Sequence, residues 1–65
     1  MSNRYKVVIN HEEQYSILPI DKPLLRGQQA VGMEGRGEDC LRHVERVWTT
    51  MRSTDRERLR REIGL

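Results

Sequence analysis

Few residues in this chain have types and spacings that allow chemistry. Cys40 and His43 are three apart, where a thiol and an imidazole on one helix can share a ligand or act as nucleophile and base. His11 stands beside Glu12 and Glu13, and Gly35 and Gly37 precede a helical pattern. Arg52, Arg56, Arg58, Arg60 and Arg61 crowd the C-terminal end. Each has a plainer account. Cys40 falls within an apolar stripe and His43 on its flank, so packing explains them better than catalysis. His11 reads as a solvated loop histidine. The glycines lack the spacing of a phosphate loop. One Cys and two His cannot close a four-ligand zinc site. The arginines are interleaved with Asp55, Glu57 and Glu62 and have no stacking aromatics, which reads as a salt-bridged helix surface. No catalytic, cofactor-binding or metal-binding residue is expected, and the chain is read as a non-enzyme. Nucleic-acid binding through the Arg-rich segment stays as the alternative.

Those positions are set by one segment of clear periodicity. In Glu38 to Arg52, the residues Cys40, Leu41, Val44, Val47, Trp48 and Met51 fall within about 120° of arc at about 100° per residue. The spacing predicts an amphipathic helix, with Gly37 as N-cap and Glu38 and Asp39 in its first turn. Tyr5 to Ile9 alternates as a strand, and Asn10 to Glu13 reads as a turn. Gln14 to Leu18 is a second strand ended by Pro19, closing an antiparallel hairpin. Residues 19–27, with two prolines and a glycine, form a loop, and Gln28 to Met33 a third strand. Thr54 to Glu57 matches a capping box, and Leu59 and Ile63 are four apart. A short helix over 54–63, ended by Gly64, follows, with so little apolar surface that it is expected to be marginal or frayed.

The economical architecture is α+β: a three-stranded antiparallel sheet with one amphipathic helix on one face. Strand parity then puts Tyr5, Val7, Ile9, Tyr15, Ile17, Val31 and Met33 under the helix. Gln14, Ser16, Leu18, Gln28, Ala30 and Gly32 form a second face with no helix to cover it, which suits docking.

Sixty-five residues make a single domain over 1–65, with an ordered core at about 5–52 and residues 1–4 loose. A single cysteine excludes an internal disulfide. Twelve basic and ten acidic residues leave a net charge of +2, too balanced to imply nucleic acid alone. Neither a signal peptide nor a membrane span is apparent, so a cytoplasmic protein is expected. Stability must come from compact packing or from a partner.

In order, Asn10-x-Glu12-x-Gln14-x-Ser16-x-x-Pro19, then Gly27, Gly32 and Gly35, then Cys40-Leu41, then Trp48-Thr49-x-Met51-Arg52 resembles the MbtH-like proteins. The match runs from about Tyr5 to Arg52. The resemblance implies a fold of three antiparallel strands and a helix. It also implies non-catalytic, 1:1 binding to the adenylation domain of a nonribosomal peptide synthetase. Such binding would solubilise or activate that domain for aminoacyl-adenylate formation, in antibiotic or siderophore biosynthesis. ATP, magnesium and the amino acid would be bound by the partner, and this chain would carry no cofactor.

This chain departs from the family pattern at informative places. Where family members usually have Trp before the second-strand proline, it has Leu18; where they have Trp after the loop glycine, it has Gln28. Those two rings typically grip a small side chain of the adenylation domain. The usual Asp-Met-Arg-Pro reads Thr50-Met51-Arg52-Ser53 here. The residues expected to touch a partner are Asn10, Gln14, Ser16, Ile17, Leu18, Pro19, Gly27, Gln28 and Ala30.

Overall fold

The computed structural model describes residues 4–65, so the expectation of a loose residue 1–4 segment falls mostly outside the described residues. The elements are β1 (Tyr5–Ile9), β2 (Tyr15–Pro19), β3 (Gln29–Gly35), α1 (Gly37–Val47) and α2 (Ser53–Glu62). The expected α+β architecture is the observed one: a three-stranded antiparallel sheet and two helices.

β1 and β2 pair in a hairpin with Val7 opposite Ile17 and Val8 opposite Ser16. Its turn is organised by Asn10, whose Oδ1 accepts the N–H groups of Glu12 (2.9 Å) and Gln14 (3.0 Å). This is an Asx-type substitute for a backbone turn. Pro19 belongs to β2, one residue beyond the expected end, opposite Tyr5. The odd-numbered residues of β2 turn their backbone polar groups away from β1, so the missing N–H costs no ladder bond there.

The strand order is β2-β1-β3. β3 runs to Gly35, two residues past the expected end, because its pairing is irregular. Lys6 opposes Glu34 and Val8 opposes Ala30, so three residues of β3 (Val31, Gly32 and Met33) face one of β1 (Val7). Only one odd-numbered residue can then sit opposite Val7. Met33 is half-buried against the core, whereas Val31, expected beneath the helix, is exposed.

Val7, Ile17, Cys40, Leu41, Val44, Trp48, Leu59 and Ile63 form the core, with Tyr5, Tyr15, Met33 and Met51 packed around it. α1 ends at Val47 rather than Arg52, and Trp48 caps it through an N–H bond to the Val44 carbonyl at 2.8 Å. β-Branched Val47, Thr49 and Thr50 favour that stop. Val47, at the rim of the predicted arc and in the last helical position, is exposed, which corrects its place in the stripe. Arg36, not Gly37, is the N-cap.

The expectation of a marginal or frayed 53–65 segment is also corrected. α2 sinks Leu59 and Ile63 into the core. Its start lies two residues before the expected capping box: Asp55 Oδ2 accepts the Arg52 N–H at 3.0 Å. Arginine has no acceptor to return, so half a capping box forms. Gly64 ends the helix as expected, with Leu65 N–H bonded to Arg60 O (2.8 Å) and Gly64 N–H to Arg61 O (3.1 Å), a Schellman pairing. Gly37 lets the start of α1 meet the end of α2: a Cβ there would lie 2.9 Å from Ile63 Cβ.

Candidate partner-docking site

The free edge of β2 is closed by two charged side chains of α2. Arg58 Nη2 donates to Tyr15 O at 2.7 Å, and its Nη1 donates to Ser16 Oγ (3.1 Å) and to Glu62 Oε2 (2.8 Å). Glu62 Oε1 accepts the Ile17 N–H at 2.9 Å. These bonds stand in for a missing neighbour strand and blunt the edge. They also take Arg58 out of any nucleic-acid-facing row, and Arg56 is paired with Glu45 at 2.8 Å. The Arg-rich segment is therefore an anchored helix, with Arg52, Arg60 and Arg61 left exposed on its surface.

The opposite face of the sheet is not bare, which corrects the expectation of an uncovered surface. β2 and β3 are both antiparallel to the central β1, so they are parallel to each other and residues 20–28 must run back along the sheet. α1 fills one face, so this crossover takes the other. Lys6, whose side chain points to that outer face, donates from Nζ to the Lys22 carbonyl. At the far end, a Cβ on Gly27 would lie 3.3 Å from His11 Nδ1. Between these points Val8, facing outward, is only 1% exposed.

The predicted contact residues divide accordingly. Ser16 and Ala30 share a row across Val8, and Leu18 lies in the next row beside Lys6. Ala30 and Pro19 are exposed, and Leu18 is half-buried. Ser16 is half-buried and holds Arg58. Asn10 and Gln14 build the hairpin turn, their side chains bonded Nδ2 to Oε1 at 3.2 Å. Gly27 is exposed in the crossover. Gln28 bonds Leu25 twice: its Oε1 accepts the Leu25 N–H at 2.8 Å, and its N–H donates to Leu25 O at 3.0 Å. Ile17 is the exception. It is fully buried in the core, on the helix side, and has no surface to offer in this fold. Sequence reasoning missed Arg58, Glu62 and the crossover; the only available signal was the i,i+4 spacing of Arg58 and Glu62.

Cys40 is fully buried, and burial, reinforced by the charge of Asp39, pushes its thiol up from its ordinary value. An activated nucleophile needs the reverse. Among the described residues, no group of three His, Cys, Asp or Glu side chains is placed to hold a metal ion. An open groove of about 600 Å³ lies between the hairpin turn and the α1–α2 connection, bordered by Glu13, Tyr15, Trp48 and Thr50 among others. Of the predicted contact residues only Gln14 borders it. The Tyr15 and Trp48 rings meet there at 5.5 Å and 49°, a tilted pair that closes one end of the core.

Two helices are thus spent on one face and one edge of a small sheet, and one comparison with known proteins, made by sequence, finds a match. The family model of MbtH-like protein matches residues 1–60. The chain belongs to the MbtH-like protein family. Among curated proteins, none matches it. MbtH-like proteins are small accessory proteins associated with nonribosomal peptide synthetases. No helix among the described residues is long and apolar enough to cross a membrane.

Proposed function

We propose that this MbtH-like chain is a non-catalytic partner of a synthetase adenylation domain, docking through the outer side of its sheet. The observation that carries this is the one-sided use of the helices. α1 and α2 bury the inner face and the β2 edge, while Leu18, Gly27, Gln28 and Ala30 stay on the other side with the crossover, and Pro19, opposite Tyr5, is exposed at the end of β2. Asn10, Gln14 and Ser16 set the shape of that side from its margin. The partner holds ATP, magnesium and the amino acid; this chain holds no cofactor and works in the cytoplasm beside the synthetase. Its action is mass action: binding the folded adenylation domain at about 100 times Kd stabilises it by about 2.7 kcal/mol.

The test is amino-acid-dependent ATP–pyrophosphate exchange by adenylation domains from the same genome, each made with and without this chain. The expected result is a rise in exchange or in soluble yield for at least one domain. No change in exchange, yield or co-purification for any of them overturns the proposal.

A further inference from the structure

The outer side carries apolar surface that the sheet itself does not supply. Leu24 is 42% exposed and Leu25 64%, adjacent in the middle of the crossover. A flexible loop would fold such residues inward or lose them to solvent, but this one is tethered. Lys6 holds its first half at the Lys22 carbonyl. The Gln28 side chain and N–H close a short turn on Leu25 from the other side. Pro19 and Pro23 limit the backbone further. The two leucines are therefore presented in a fixed posture, which lowers the ordering cost of binding. Lys22 and Arg26 flank them, both exposed, and Asp21 before Lys22 is the one acidic side chain of the crossover, which leaves it net basic.

We infer that Leu24 and Leu25, held out by the Gln28 clamp and flanked by Lys22 and Arg26, are this chain's apolar anchor on its adenylation-domain partner. The occupant that fits is an apolar pocket with an acidic rim on that domain. The rim follows from charge complementarity, which sets encounter rate and orientation, while the leucines supply burial. The anchor rests on the docking reading above and extends it to the residues that grip and the surface gripped. Gln28 then serves to position the crossover and does not fill a pocket itself.

The experiment uses the full chain against each adenylation domain of the same genome, with affinity measured at two salt concentrations. Leu24→Ser with Leu25→Ser should weaken binding at least tenfold, about 1.4 kcal/mol. Lys22→Glu with Arg26→Glu should slow association and abolish its salt dependence. Leu65→Ser, at a leucine 59% exposed at the other end of the chain, should change neither. All of these positions are exposed, so thermal unfolding should stay at the wild-type temperature. If wild type and the Leu24/Leu25 variant bind one domain equally, the anchor is wrong and the docking reading stands. If wild type binds no domain, both fall. If wild type instead sediments with phosphatidylserine vesicles and the leucine variant does not, the patch is a membrane contact and the anchor is overturned.

Discussion

Gly37→Ala tests the closeness of the two helices. The added methyl would lie 2.9 Å from Ile63 Cβ, 3.2 Å from Ile63 Cγ2 and 3.4 Å from Tyr5 Cε2. Carbon atoms rest at roughly 3.5–4.0 Å, so the first contact overlaps by more than half an ångström. Neither Ile63 atom lies at the end of a flexible chain, so the end of α2 must shift. Overpacking of this kind costs about 1–3 kcal/mol. Against it stands the gain from replacing glycine in a helix, about 0.4–1 kcal/mol. The net expectation is a loss of about 0–2.6 kcal/mol, centred at about 1.3 kcal/mol, or roughly 5–10 °C in melting temperature for a chain of this size. Thermal and urea unfolding of the single variant, of Ile63→Ala and of the pair give the cycle. Gly37→Ala should cost less when Ile63 is already cut back, because part of the clash has gone. A raised melting temperature for Gly37→Ala alone would show that α2 does not rest against this position, and would refute the packing described for it.

Two further outcomes follow from the same core. Arg58→Ala should lower stability by about 1–2 kcal/mol, since it strands Tyr15 O and Glu62 at a partly exposed edge. Arg58→Lys should recover little, because one ammonium cannot reach three acceptors in a fork; full recovery in urea unfolding would argue against the latch. Cys40 should resist thiol reagents until the protein unfolds. Its thiol is raised in the folded state, so its share of stability is complete below about pH 9 and is lost as pH climbs towards the folded value. Cys40→Ala should therefore flatten the alkaline fall in stability, and an unchanged slope would contradict the assignment.

The helix stripe, the β1 alternation and the Asn10 turn are legible because each rests on a local period or a local side-chain bond. Strand order is not local. Nothing in the stretch from Pro19 to Gly27 distinguishes a loop at the end of a sheet from one laid across its face, since both favour prolines and polar residues. α2 is underestimated for a related reason: its apolar share is two residues, Leu59 and Ile63. What fixes it also includes backbone atoms of Tyr15 and Ile17, which no side-chain pattern displays. The fate of Ile17 shows the cost of reading a strand residue by its neighbours. Strand parity puts it under the helix, and there it lies, opposite Val7 in the core; only its place between Ser16 and Leu18 groups it with the contact residues.

The two departures from the family pattern acquire a common meaning once the crossover is in place. A tryptophan ring at position 28 has no acceptor for an N–H group, whereas the Gln28 amide takes the Leu25 N–H and fixes the turn. A tryptophan at position 18 would stand beside Lys6, whose ammonium holds the other half of the crossover. Both substitutions thus sit next to a tether. Leucine and glutamine stand in place of two large rings, and under the proposed anchor the apolar contact passes to Leu24 and Leu25 in the crossover. Such an exchange preserves affinity only if the loop is already ordered before binding, because each freely moving residue would otherwise cost about 1–2 kcal/mol of backbone entropy. Two tethers and two prolines within ten residues meet that condition.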